Sequence, residues 1–341
     1  MFEYTEDGCS VPKDAIIVRF NEGLQKIGNE AFSECTALES ITFPSSLVEI
    51  GEGAFFGCSN LKEVTLNDGL RKIGKTVFCN CTSLKSVTLS PTLVVIGNNA
   101  FYGCKNLREI ILNDILQKIG MQAFCMCASL ESITLPPTVT EIGDGAFCGC
   151  NNLREVRFND GLQKIGTSSF YNCSSLESIT LPSTVTEIGN HAFNACINLR
   201  EVELNGVSQY MIRSFHNCDA LERFLFPTIS YRLENLIQTS RWEELEDKLN
   251  EVRGVVQWES DKLFVSRAAC RNWNQTKRDL ARIARLVTYY ELKEATTTFE
   301  LALWKSKLDQ ADATNNTNRA AYRIDVPGPV KDTMLQYLDR N

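Results

Sequence analysis

The chain has 341 residues, 43% of them hydrophobic and 23% charged, with a formal net charge of −7. That composition supports a folded core and excludes bulk disorder, and the acidic balance argues against a general nucleic-acid binder. The longest aliphatic runs are a few residues, far short of the ~20 that a membrane helix needs, and the opening MFEYTEDGCS lacks the basic and apolar segments of a secretion signal. We therefore expect an intracellular protein, in the cytoplasm or alternatively the nucleus, with no membrane span.

Residues 1–20 read as an N-terminal cap, in which Cys9, Ala15, Val18 and Phe20 match a degenerate copy of the unit that follows. From 21 to 226 every landmark repeats at 23 residues. Cysteines fall at Cys35, Cys58, Cys81, Cys104, Cys127, Cys150, Cys173, Cys196 and Cys218, with only the last interval shortened to 22. Phenylalanines keep the same beat at Phe32, Phe55, Phe78, Phe101, Phe124, Phe147, Phe170, Phe193 and Phe215. The unit is I-G-x-x-[AVS]-F-x-x-C-x-x-L-x-x-[IV]-x-[LF]. A single copy holds too few apolar anchors to fold alone, so copies must stack and bury each other's faces. This period, with L-x-x-[IV]-x-L inside it, predicts a repeat solenoid: a leucine-rich-repeat right-handed β-solenoid of about nine coils, with short strands and helical turns.

Within each copy the alternation of SITLP (178–182) points Ile179 and Leu181 inward and Ser178 and Thr180 outward. A second extended piece, TVTEIG (184–189), forms another wall, and the segment around Ala192, Phe193 and Cys196 reads as a helical turn. The glycine after each isoleucine suits either a corner with positive φ or a close backbone approach. NDG-like loops alternate with Pro/Ser-rich ones (SPT at 90, PPT at 136, PST at 182), giving a 46-residue superperiod that suggests duplication of repeat pairs.

After 226 the composition changes: all four tryptophans lie there, and residues 227–341 carry 18 Lys/Arg against 17 Asp/Glu. Apolar spacing predicts helices over 231–253, with Gly254 as a stop, over about 275–309, and over 331–338 after the rigid DVPGPV turn. The expected organisation is a cap (1–20), the solenoid (21–226) and a mainly α C-terminal domain (227–341).

The repeat unit, in about nine copies over roughly 15–226, resembles the BspA-like leucine-rich repeat. It differs from the commoner leucine-rich consensus in placing Cys before the strand rather than after it. The resemblance implies a scaffold for protein recognition. Relatives occur on bacterial and protist cell surfaces, where the role is adhesion, and inside unicellular eukaryotes. The tail YYELKEATTTFELALWKSKLD is similar to one attached to such repeats in algal proteins.

Candidate sites divide into repeat architecture and positions free to vary. GDGAFCG (143–149) looks like a phosphate loop, but a nucleotide loop needs a preceding strand, a following helix and a placed Lys; here the repeat accounts for Gly143, with Gly145 and Gly149 as chance additions. The pairs Cys79/Cys81, Cys125/Cys127 and Cys148/Cys150 look like half metal sites. The second member of each belongs to the ladder, and the chain has only two histidines, His191 and His216. We expect no cofactor and no metal, the thiols acting as small apolar groups, with exposure of Cys79, Cys125 and Cys148 deciding whether any is redox-active. No hydrolase, zinc-protease or Walker motif is present, so no catalytic residue is expected. The sequons NCT (80) and NCS (172) enclose ladder cysteines and read as unused.

The outward strand columns are the expected partner-binding surface. One holds Glu63, Glu109, Glu155 and Glu201 alternating with serines; the next holds threonines broken by Ile111, Arg157 and Glu203. At ~4.8 Å per strand the column glutamates stand ~9.6 Å apart, too far for one metal but suited to a basic protein partner. The other reading of this face is a solvated surface with Thr chosen for strand propensity. Arg271, Arg278, Arg282 and Arg285, beside Trp273, make a second candidate patch for nucleic acid or an acidic partner.

Overall fold

The computed structural model describes residues 2–4, 11–205, 214–226, 230–232, 245, 257–259, 262–266, 278–280 and 282–292. The chain divides into two units: 1–230 with 254–278, and 231–253 with 279–341.

The first unit is a parallel β-solenoid of eight complete coils. Strands β1 (Phe2–Tyr4) and β2 (Val18–Phe20) open it. Each coil then supplies a two-residue strand and a longer one: β3 (Lys26–Ile27) and β4 (Ser40–Thr42), β5 (Glu49–Ile50) and β6 (Glu63–Thr65), β7 (Lys72–Ile73) and β8 (Ser86–Thr88), β9 (Val95–Ile96) and β10 (Glu109–Ile111). The pattern continues with β11 (Lys118–Ile119) and β12 (Ser132–Thr134), β13 (Glu141–Ile142) and β14 (Glu155–Arg157), β15 (Lys164–Ile165) and β16 (Ser178–Leu181), β17 (Glu187–Ile188) and β18 (Glu201–Leu204). A ninth, degenerate coil keeps Phe215, Cys218 and β19 (Arg223–Leu225).

Two columns fill the interior. The nine phenylalanines stack face to face, with centroids 4.9–5.5 Å apart and ring planes within 12°. Tyr4, 1% exposed, closes the N-terminal end of that stack 5.0 Å from Phe32. The ladder cysteines do more than fill space. From Cys58 to Cys218 each thiol donates to the carbonyl of the Phe one coil back, at 3.0–3.3 Å, starting with Cys58 Sγ on Phe32 O. Each of these carbonyls also accepts the N–H of the cysteine three residues on, as Phe32 O does from Cys35 at 3.1 Å, so the thiol adds a second, weak donor that alanine would lack.

The segment expected to be a helical turn is instead a chain of hydrogen-bonded turns. Two residues per coil sit at positive φ, such as Gln122 (52°) and Met126 (62°), or Gly145 (62°) and Gly149 (72°). Those left-handed residues prevent helix propagation and aim alternate amides at the next coil: Phe124 N–H donates to Ala146 O at 2.7 Å and Met126 N–H to Cys148 O at 2.7 Å. Gly145 and Gly149 therefore have a conformational reason, contrary to the sequence expectation. The glycine after the isoleucine has, in Gly51, Gly97, Gly120, Gly143, Gly166 and Gly189, the other reason foreseen, close approach: a Cβ on Gly143 would lie 2.6 Å from the Gly120 carbonyl carbon.

Most positive-φ positions carry side chains, and Thr76 (φ 55°) is β-branched, the least tolerant type. Thr76→Gly should raise stability by about 0.5–1 kcal/mol: relief of roughly 1–2 kcal/mol of left-handed strain less the ~0.5–1 kcal/mol entropic cost of glycine. Urea unfolding checks this; an unchanged or lower midpoint contradicts it.

The short strands form one continuous eight-stranded wall, β3 to β17. Its outward column, Lys26, Glu49, Lys72, Val95, Lys118, Glu141, Lys164, Glu187, alternates in sign with the superperiod except at the uncharged Val95, and Lys26–Glu49 (2.9 Å) and Lys164–Glu187 (3.2 Å) bridge neighbouring coils. Alternation keeps like charges from stacking one strand apart. The longer strands divide into β10-β8-β6-β4, then β12-β14, then β16-β18-β19-β21-β20.

This last sheet adds strands in a region expected to be mainly α, between the helices expected over 231–253 and about 275–309. Strands β20 (Gln257–Glu259) and β21 (Lys262–Ser266) form a hairpin, and β21 pairs antiparallel with β19. QWE and KLFVS are short extended pieces that a helical-periodicity search passes over, and their pairing covers the edge that β19 would otherwise expose. In the second unit, residues 279–280 and 282–292 are helical, burying Leu280, Ile283, Val287 and Tyr290. Arg232 holds Glu291 there, Nη2 to Oε2 at 2.6 Å. Cys9, Arg271, Trp273 and the 331–338 helix lie outside the described residues.

Candidate functional site

The breaks in the longer-strand wall coincide with prolines. After β18, Asn205 donates its N–H to Leu181 O in the coil before, at 3.1 Å. Pro44, Pro136 and Pro182 occupy that position after β4, β12 and β16, and a proline has no N–H to give. These are the coils at which the ladder stops: β2/β4, β10/β12 and β14/β16. Ser90 holds the place after β8, and β8 pairs with β6.

At the β14/β16 break a cleft of about 320 Å³ opens on the outward face, lined by Glu155, Arg157, Phe158, Asp160, Thr180 and Pro182 among others. Phe158 replaces the leucine usual at the strand end and lies edge-on to Phe170 (5.7 Å, 86°), half-buried. Arg157 Nε bonds Glu155 Oε1 at 2.6 Å, and Thr180 Oγ1 bonds Glu203 Oε2 at 2.9 Å on the far side. The cleft thus combines an aromatic face, a rim of carboxylates and one guanidinium.

The remaining predicted positions distribute along the same wall. Glu63 and Glu109 are exposed, each facing Ser86 across the ladder. Ile111, 73% exposed, is the most solvated large apolar side chain among the described residues. Glu201 is neutralised by Arg223, whose Nη2 lies 2.6 Å from its Oε1. The structure brings Glu155 and Arg157 together at the cleft, with Glu203 on its border, and leaves Glu63, Glu109 and Ile111 on the sheet that ends at β10. Sequence reasoning missed Phe158, Asp160, Pro182 and Asn205. The signal was the Pro-rich loop, which marks the strands at which the ladder stops as well as the duplication.

The GDGAFCG amides serve the coils rather than an anion: Gly143 N–H donates to Ile119 O, Gly145 N–H to Thr167 O and Gly149 N–H to Tyr171 O. Among the described residues no group of three or more His, Cys, Asp and Glu side chains is placed to hold a metal ion. His191 Nδ1 meets the Asn194 amide at 2.9 Å.

The profile of the BspA type leucine rich repeat region matches residues 14–131 and 117–238, with six copies. The chain belongs to the BspA-type leucine-rich repeat family. Repeats of this family are generally non-catalytic scaffolds, and leucine-rich repeat proteins generally bind protein partners. No curated protein matches the chain. Among solved structures, a leucine-rich repeat protein from Bacteroides ovatus is 27% identical over 58% of this chain and 58% of its own, with a TM-score of 0.45. The leucine-rich repeat protein of T. pallidum is 31% identical over 55% of this chain and 78% of its own, TM-score 0.45. A leucine-rich cell surface protein of Faecalibacterium prausnitzii is 24% identical over 61% and 78%, TM-score 0.34. The chain therefore spans less than two thirds of the length of the B. ovatus protein. Among the described residues no helix is long and apolar enough to cross a membrane.

Of the second candidate patch, Arg278, Arg282 and Arg285 are exposed. Cys79 and Cys125 are buried, 6% and 3% exposed, as expected for small apolar groups, whereas Cys148 is only partly buried.

Proposed function

We propose that this BspA-type repeat is a non-catalytic protein-interaction scaffold that receives a partner segment on its longer-strand wall, centred on the β14/β16 cleft. The observation that carries the reading is the cleft itself, where Arg157 breaks the outward threonine column beside Glu155 and a missing ladder leaves a half-buried aromatic open. Binding clefts pair an apolar floor with a few placed polar groups in this way. Because Glu155 is already satisfied by Arg157, the carboxylates left to meet a basic partner side chain are Asp160 at the cleft and Glu63 and Glu109 further along. The proposal includes an intracellular setting; recovery of the protein from culture medium or the cell surface would overturn that part.

Affinity capture with the full chain, followed by direct titration of the captured partner, tests the surface. Arg157→Ala with Asp160→Ala should weaken the partner at least tenfold, the loss of one or two interface anchors, while Lys118→Ala on the opposite wall leaves it unchanged. Equal binding by all three proteins removes this face from consideration.

A further inference from the structure

We propose that Cys125 and Cys148 form a dithiol site that hydroperoxides oxidise to a disulfide bridging two adjacent coils. Nothing in the interaction scaffold requires it.

The placement follows from the repeat. Both residues occupy the position after the core Phe, which elsewhere holds Ser33, Phe56, Cys79, Tyr102, Tyr171, Asn194 and His216. Cys125 and Cys148 are therefore the pair of neighbouring coils in which this position is cysteine twice; Cys79 is separated from Cys125 by the coil of Tyr102. Their register is locked on both sides, by Phe124 N–H on Ala146 O and Met126 N–H on Cys148 O, each 2.7 Å. Parallel backbones so joined run ~4.8 Å apart, inside the 4.4–6.8 Å Cα separation that a disulfide spans.

Access separates the two thiols. Cys148 is flanked by Gly145 and Gly149, which add no side chain of their own although Gln122 and Met126 of the coil before reach over them, whereas the corresponding flanks of Cys125 are Gln122 and Met126 and those of Cys79 are Thr76 and Asn80. Cys148 is accordingly half-buried and Cys125 buried. The Cys125 S–H, hydrogen-bonded to the Cys148 sulfur, holds the Cys148 thiol down at about 7 against the opposing effect of burial. The same bond pushes Cys125 up. Cys148 is the nucleophile and Cys125 the resolving thiol.

The ladder cysteines are also neighbours across coils, yet they have neither property. From Cys58 to Cys196 they are fully buried, their S–H groups are given to Phe carbonyls, and burial raises their thiols, Cys58 to about 12. They form no thiolate and meet no oxidant.

The chemistry balances. The Cys148 thiolate attacks one peroxide oxygen, the O–O bond breaks, and the leaving oxygen takes up a proton as water or alcohol, leaving Cys148 as a sulfenic acid. Cys125 loses its proton, its sulfur attacks the Cys148 sulfur, the S–O bond breaks, and water leaves. Two thiols and one hydroperoxide give one disulfide, one water and one water or alcohol; an external dithiol reverses it by exchange. The bridge joins the coils of β12 and β14, whose two-stranded ladder stands alone between two breaks.

The test treats the reduced full chain with one to a few equivalents of hydrogen peroxide and maps peptides without reduction. A single Cys125–Cys148 link is expected. Cys125→Ser should leave Cys148 as a sulfenic acid that dimedone traps, Cys148→Ser should abolish both products, and Cys79→Ser should change neither. Serine already stands at this position in Ser33, so the variants retain a tolerated residue. On the unmodified chain, phenylarsine oxide, which chelates paired thiols, should protect Cys148 from iodoacetamide, and Cys148 should alkylate roughly tenfold faster than Cys79 at neutral pH. Peroxide that leaves Cys148 reduced, or links that scatter over ladder cysteines, would overturn the proposal. So would a failure of the arsenical to protect.

Discussion

Phe124→Ala should destabilise the solenoid by roughly 3–5 kcal/mol, the range for removing a buried aromatic ring. Phe124 is fully buried and stacked on both faces, against Phe101 at 5.3 Å and Phe147 at 5.4 Å. Its removal opens one void that two interfaces share, and neither neighbour can tilt to fill it without leaving its own stack. In a linear array stability is a sum of coil terms and nearest-neighbour interfaces. A central deletion therefore weakens two interfaces and threatens to separate the N-terminal coils from the C-terminal ones. The expected denaturation curve has a lower midpoint and a shallower slope, as the halves begin to unfold independently. The same change at Phe215, which stacks on Phe193 and meets Phe224 edge-on, should cost less and keep the slope. Equal losses at the two positions would show that the stack is not the element coupling the coils.

Fold and site were legible in the sequence to different depths, for a physical reason. A column of identical residues announces itself through its period, so the Phe and Cys ladders, both walls and the inward Ile179 and Leu181 were readable. What one coil does to the next through its backbone leaves a fainter trace. The Pro-rich loops were visible, but periodicity does not state that they follow the strands whose ladder to the coil before is broken, and the cleft lies at one of those breaks. The cysteine thiols were read as space-filling because their acceptor, a phenylalanine carbonyl 26 residues away, carries no side-chain signature. The hairpin 257–266 escaped because its strands are too short to compete with the helical spacing around them. Left-handed turn positions, filled by Glu, Thr, Asn, Gln, Met, Ser, Ala and His as well as Gly, have no single residue type to betray them.

Gly143→Ala tests the glycine column against those turn glycines, and should cost about 3 kcal/mol or more, at or beyond the upper end of ordinary overpacking. An added Cβ would sit 2.6 Å from Gly120 C, 2.7 Å from Gly120 O and 2.7 Å from Met121 N. All three are backbone atoms of the adjacent coil, and that coil is held by the Gly143 N–H bond to Ile119 O. Relief requires the coils to part, which also loosens the Phe and Cys columns. The first copy supplies the control. Gly28 has no full coil beneath it, and a Cβ there would meet only the Tyr4 hydroxyl, at 3.4 Å. Gly28→Ala should therefore cost well under half as much, since the tyrosine can shift. Gly145→Ala falls between them: the nearest atom is the Gln122 Cγ at 3.1 Å, on a flexible side chain, and the main penalty is the left-handed φ, roughly 1–2 kcal/mol. The predicted order, Gly143 above Gly145 above Gly28, separates close approach from backbone conformation as the cause of the repeated Ile-Gly pair. If positive φ were the cause, Gly145 would be the worst of the three. If the pair were only an inheritance of duplication, the three substitutions would cost the same.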